Sequence, residues 1–113
     1  MGYYAHGSGV IKTAANVGAL TLKDRFKDML EEAFNEVHFY DGEIEVVHYD
    51  ETYHEEATLK ALFDLSKSIQ LKSAEIDFCG EDDYYWRFRF ENGCWYEDPG
   101  CITYEKSNNR ISK

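Results

Sequence analysis

The chain has 113 residues, 43% hydrophobic and 16% aromatic, and carries 22 acidic side chains against 12 lysines and arginines for a formal net charge of −10. That length suits one domain able to bury its own core, and the aromatic richness excludes a disordered acidic tail, which could not offset its chain entropy. No stretch approaches the ~20 apolar residues of a membrane span, and the charge opposes direct binding to nucleic acid or an anionic membrane.

Residues 3–12 open with aromatics and carry Gly7 and Gly9, which suits a first strand with a bend or bulge. Residues 13–20 are small and turn-prone, and read as a loop. From Thr21 the period becomes helical through Leu22, Phe26, Met29, Leu30, Ala33 and Phe34, with Thr21 as N-cap and Asp24 three residues on. Strands at 37–40 and 44–49 flank Asp41-Gly42, a dipeptide suited to the positive φ angles of a type I′ hairpin. The capping box Thr52-x-x-Glu55 starts a second helix whose inner face is Leu59, Leu62, Phe63, Ser66 and Ile69.

The remainder reads as β. Ala74, Ile76 and Phe78 alternate with Glu75 and Asp77, and Trp86, Phe88 and Phe90 alternate with Arg87 and Arg89. Asn92-Gly93 gives a second hairpin signal, and Pro99-Gly100 turns the chain into a last strand at 102–104. The order β-α-β-β-α-β-β-β predicts an α+β domain over residues 1–105, with two helices on one face of a mainly antiparallel sheet. It is ferredoxin-like with a C-terminal β extension, followed by a frayed polar tail at 106–113. One sheet face is expected to pack on the helices; the other, with Glu43, Glu45, Glu75, Asp77, Arg87 and Arg89, is expected to be solvated.

Charge is unevenly placed. Between residues 36 and 105, 18 carboxylates stand against five lysines and arginines. Asp41, Glu43, Glu45, Asp50, Glu51, Glu55 and Glu56 crowd one hairpin and one helix start, while Glu81, Asp82, Asp83, Glu97 and Asp98 crowd later loops. Like charges so close cost stability unless a partner or solvent relieves them. Tyr84, Tyr85 and Trp95 lie among them, and such side chains bury large area at low entropic cost when they anchor an interface. Carboxylates interleaved with rings match what a nucleic-acid groove recognises, phosphate charge and stacked bases. A plain solvated shell, with Arg87 and Arg89 paired to Glu75 and Asp77, is the competing explanation.

Signals for chemistry are weak. His48, Asp50 and His54 lie close enough to suggest a metal-dependent enzyme, but their spacing matches no metal motif, so neither a metal nor any other cofactor is expected. Cys79, Cys94 and Cys101 are odd in number and lack zinc-site spacing; they read as reduced thiols of a cytoplasmic protein.

The opening MGYYAHGSGVI (residues 1–11) and the late WRFRFENG (86–93) resemble a diffuse group of small phage and mobile-element proteins. In size, acidity and tyrosine content the chain is also similar to phage anti-defence inhibitors such as anti-CRISPRs. That resemblance implies a host-directed inhibitor in the bacterial cytoplasm and assigns no site residues. Together these readings predict a non-enzymatic inhibitor that binds a basic nucleic-acid-binding protein and blocks its groove by charge mimicry. Its carboxylates would serve as phosphate surrogates, and Tyr84, Tyr85 and Trp95 as anchors. An immunity or antitoxin protein against a basic nuclease, the small metal enzyme, and a structural phage protein are the alternatives.

Overall fold

A computed structural model describes residues 4–49, 53–81, 84–100 and 110–111. The chain runs β1 (Ala5–Thr13), α1 (Ala19–Glu31), β2 (Glu36–Tyr40), β3 (Glu43–His48), α2 (Glu55–Ser68), β4 (Leu71–Gly80), β5 (Tyr85–Glu91) and β6 (Cys94–Gly100). The six strands form one antiparallel sheet in the order β2-β3-β1-β4-β5-β6. Its first four strands have the ferredoxin-like arrangement, extended at one side by the β5–β6 hairpin. Both helices lie on the same face of the sheet.

Strand alternation divides the sheet between two environments. Ile11, Ile44, Val46, Ala74, Ile76, Phe78, Trp86, Phe88, Phe90 and Trp95 point to the helices and are buried with Leu22, Phe26 and Leu30 of α1 and Ala61, Leu62 and Leu65 of α2. Burial of this apolar surface drives assembly at roughly 25 cal/mol per Å². The inner face of α2 is rotated slightly from the expected one: Thr58, Ala61, Leu62 and Leu65 are deepest, while Leu59 and Phe63 are only half-buried.

Several local expectations change. Helix α1 begins two residues before Thr21 and is capped by neither Thr21 nor its nominal N-cap Gly18. The Ala19 N–H instead donates to Asp41 Oδ1 at 2.9 Å. A carboxylate from the β2–β3 turn thus satisfies an orphan donor and complements the helix dipole, in a first turn that has no acid of its own. Backbone bonds from Gly42 N to Val17 O and from Thr13 N to Gly42 O tie the same turn to the β1–α1 loop.

That turn is not type I′, because only Gly42 has a positive φ (71°). The Asn92-Gly93 turn is, with φ of 52° and 79°. Helix α2 has His54 as N-cap rather than Thr52, which lies outside the described residues, and Glu55 and Glu56 occupy its first turn.

Pro99 and Gly100 do not turn the chain. They end β6 opposite Trp86 and Tyr85, where the outer strand of the sheet has no need of a proline N–H. The expected strand at 102–104 lies outside the described residues. The tail read as frayed docks at two residues: Arg110 bridges antiparallel to Tyr96, and Ile111 N donates to Trp95 O at 2.9 Å.

Candidate functional site

The outer sheet face follows from the register as a grid. One row across the strands reads Glu36, Val47, Ser8, Asp77, Arg87, Asp98, and the next reads His38, Glu45, Val10, Glu75, Arg89, Tyr96. Glu43 pairs with Lys12 beyond them. Adjacent strands lie about 4.8 Å apart and same-face residues repeat every ~6.7 Å along a strand. Glu45 and Glu75, flanking Val10, are therefore about 10 Å apart.

The two arginines of this face are consumed internally. Arg89 grips Asp98 with two bonds, Nε to Oδ2 at 2.9 Å and Nη2 to Oδ1 at 3.1 Å, and donates from Nη1 to Glu91 at 3.0 Å. Its guanidinium also lies 4.4 Å from the centre of the Tyr96 ring. Arg87 donates to Glu75 at 2.8 Å and approaches Asp98 at 3.3 Å and Asp77 at 3.7 Å. The expected pairing of both arginines with Glu75 and Asp77 thus holds for Arg87, whereas Arg89 turns to Asp98 and Glu91. Asp77 is held above the usual carboxylate range by burial, against the pull of Arg87, with Glu75 and Asp98 adding to the upward shift.

The predicted surrogates are dispersed. Glu43 and Glu45 lie on the outer face, and Asp41, though exposed, is engaged in capping α1. Glu55 and Glu56 stand at the opposite end of the sheet, in the helix layer, so the hairpin and the helix start form two groups. Glu81 is exposed and accepts the Tyr4 N–H at 3.1 Å. Asp50, Glu51, Asp82 and Asp83 lie outside the described residues.

Two members of the set are corrected. Asp98 is 0% exposed, so it cannot serve as a phosphate surrogate; it is the buried counterion of Arg89. Trp95 is 1% exposed and cannot anchor a partner, because β6 aims it inward against Phe90, with its indole N–H donating to Ser66 Oγ at 3.1 Å. Tyr85 is half-buried on the outer face, and Tyr84 is 55% exposed.

Alternation also puts Glu97 on the inner face, half-buried at the edge of the helix layer beside Tyr53, Glu55, Tyr84 and Trp86. Its carboxyl titrates above the ordinary range because burial disfavours the anion and Glu55 repels it. A carboxyl whose pKa is higher in the folded state than in the unfolded state takes up a proton on folding. The resulting stability is present at acid pH and lost as pH rises through the folded pKa. Glu97→Gln should therefore melt higher than the wild type at pH 7, with the difference vanishing in acid; thermal melts across pH 3–8 check this.

Sequence reasoning missed Glu36 and Glu91 on the outer face and Tyr53 and Trp86 beside Glu97. Period-two alternation carried that signal for the strand residues. Of the residues of the metal alternative, His48 is buried with its ring 5.5 Å from Tyr53 and 6.5 Å from Phe78, His54 is the exposed N-cap of α2, and Asp50 lies outside the described residues. Among the described residues no three potential ligands are grouped for a metal. Cys79 and Cys94 are free thiols, and Cys101 lies outside the described set. Among the described residues no helix is long and apolar enough to cross a membrane. Comparison with known protein families, with characterised proteins and with solved structures finds no match.

Proposed function

We propose that this protein is a non-enzymatic acidic inhibitor of the bacterial cytoplasm. It occupies the nucleic-acid groove of a basic nucleic-acid-handling protein, such as a defence effector, through the outer face of its sheet. The supporting observation is the charge grid: Arg87 and Arg89 are engaged by Glu75, Asp77, Asp98 and Glu91 of the same face, so that Glu43 and Glu45, with Glu36 beside His38, add an anionic field opposed by Lys12. The side chains of Glu75 and Asp77 are 57% and 52% exposed, so their charge reaches solvent even beside Arg87. A basic groove would be steered to such a face and held by many weak contacts rather than one strong one. A nuclease neutralised by an immunity protein would be engaged by the same physics.

Affinity capture from bacterial lysate tests this when the wild type is compared with a Glu36→Lys, Glu43→Lys, Glu45→Lys variant. These three residues lie on β2 and β3, away from the buried arginine network, so the variant should stay folded. The wild type should retain nucleic-acid-binding proteins that elute with rising salt or added oligonucleotide, and the variant should bind them at least about tenfold more weakly. Single neutralisations should each have small effects. Equal retention by the variant, or retention indifferent to both salt and oligonucleotide, contradicts the proposal.

A further inference from the structure

The geometry points to a second binding site on the other side of the sheet: the cavity lined by Tyr53, Glu55, Tyr84, Trp86 and Glu97 takes the guanidinium of an arginine side chain presented by a partner protein. The cavity holds about 390 Å³, within the range of small-ligand pockets. Three electron-rich rings contribute to it. Trp86 is stacked on its cross-strand neighbour Phe78 at 5.2 Å and nearly parallel, while Tyr84 and Tyr53 approach it with ring centres at 5.3 and 5.4 Å. Trp86 and Tyr53 are buried and fixed by the core, and Tyr84 is the exposed wall.

The two carboxylates come from different elements, Glu55 from the first turn of α2 and Glu97 from β6. Glu55 repels the Glu97 carboxylate, and a cation placed between the two would be attracted by both. The exposed Tyr84 ring offers a negative π face beside the carboxylates, a combination that selects a cation and rejects phosphate. Guanidinium fits better than ammonium because it is planar, weakly hydrated, stacks on aromatic faces and pairs with carboxylates along its edge. This site faces the helix layer, and it does not rest on groove mimicry by the outer face; either can fail while the other stands.

Titration with N-acetyl-arginine amide, followed through the Trp86 indole and Tyr84 resonances by NMR at low salt, tests the site. A saturable shift is expected, while the neutral, near-isosteric citrulline amide produces none and the lysine amide binds about fivefold or more weakly. Tyr84→Ala and Glu97→Gln should each weaken binding about fivefold or more, and Glu36→Gln on the far edge should not. Glu97→Gln is expected to be at least as stable as the wild type at pH 7, so its loss of binding would not reflect unfolding. Equal shifts with citrulline, absence of a saturable shift, or binding unaffected by both variants would overturn the site, and equal affinity for the lysine amide would overturn its assignment to guanidinium.

Discussion

Asp98→Asn should lower the unfolding free energy by roughly 3–5 kcal/mol, because it keeps the side chain's shape while removing the buried negative charge that Arg89 grips with two bonds and Arg87 approaches at 3.3 Å. Arg89 is 3% exposed, and both of its bonds to Asp98 depend on the carboxylate charge. Against a total stability of roughly 5–15 kcal/mol for a domain, that loss moves a urea midpoint far while leaving the denaturant slope unchanged. A surface acid would respond differently: its neutralisation typically changes stability by less than about 0.5 kcal/mol. Replacing the pair together, Arg89→Met with Asp98→Leu, should recover much of the loss, since apolar groups of similar volume often substitute for a buried ion pair. An Asp98→Asn variant within about 0.5 kcal/mol of wild type would show that the pair is not the structural element described.

Gly9→Ala is the second substitution with a large expected effect. Gly9 sits on the inner face of β1, opposite Ile76 in the middle of the sheet. A Cβ there would fall inside contact distance of the Glu75 carbonyl oxygen and the Ile76 Cα, both backbone atoms, and at 2.8 Å from Ile76 Cγ1. Backbone cannot step aside as a flexible side chain can, so β1 and β4 would have to separate where they pair. Overpacking of this kind costs roughly 1–3 kcal/mol and sometimes more. Neighbouring Ser8 points to the exposed face, and Ser8→Ala should stay within about 0.5 kcal/mol of wild type. Chemical denaturation of the two variants side by side checks the contrast; equal stabilities would contradict the close approach of β1 and β4.

The parts of this fold legible in the sequence are those set by local pattern. Alternation from Ala74 to Phe78 and from Trp86 to Phe90 placed each residue on its correct face, and Asp41-Gly42 and Asn92-Gly93 marked both hairpin turns. Contacts between distant residues were not legible. Thr21 resembled a cap, yet the group that bonds to the start of α1 is Asp41, 22 residues away, brought there by the β2–β3 turn.

Among the candidate site residues, proximity in sequence misled. Glu97 and Asp98 looked like one acidic pair, but adjacent strand residues face opposite ways, so one borders the helix layer and the other is buried against Arg89. Trp95 and Tyr96 were divided by the same rule, which applied with β6 registered against β5 would have placed all four. The extent of β6 hid this, because Pro99-Gly100 reads as a turn unless the strand is known to lie at the outer side of the sheet.

On the proposed function, the outer face and nucleic acid compete for one groove. With a captured partner in purified form and a fluorescent oligonucleotide bound to it, anisotropy during titration with this protein measures that competition directly. The wild type should release the oligonucleotide fully, with an apparent affinity that falls as salt rises, and the Glu36→Lys, Glu43→Lys, Glu45→Lys variant should need at least about tenfold more protein. A ternary complex, in which this protein binds while the oligonucleotide stays in place, would contradict it.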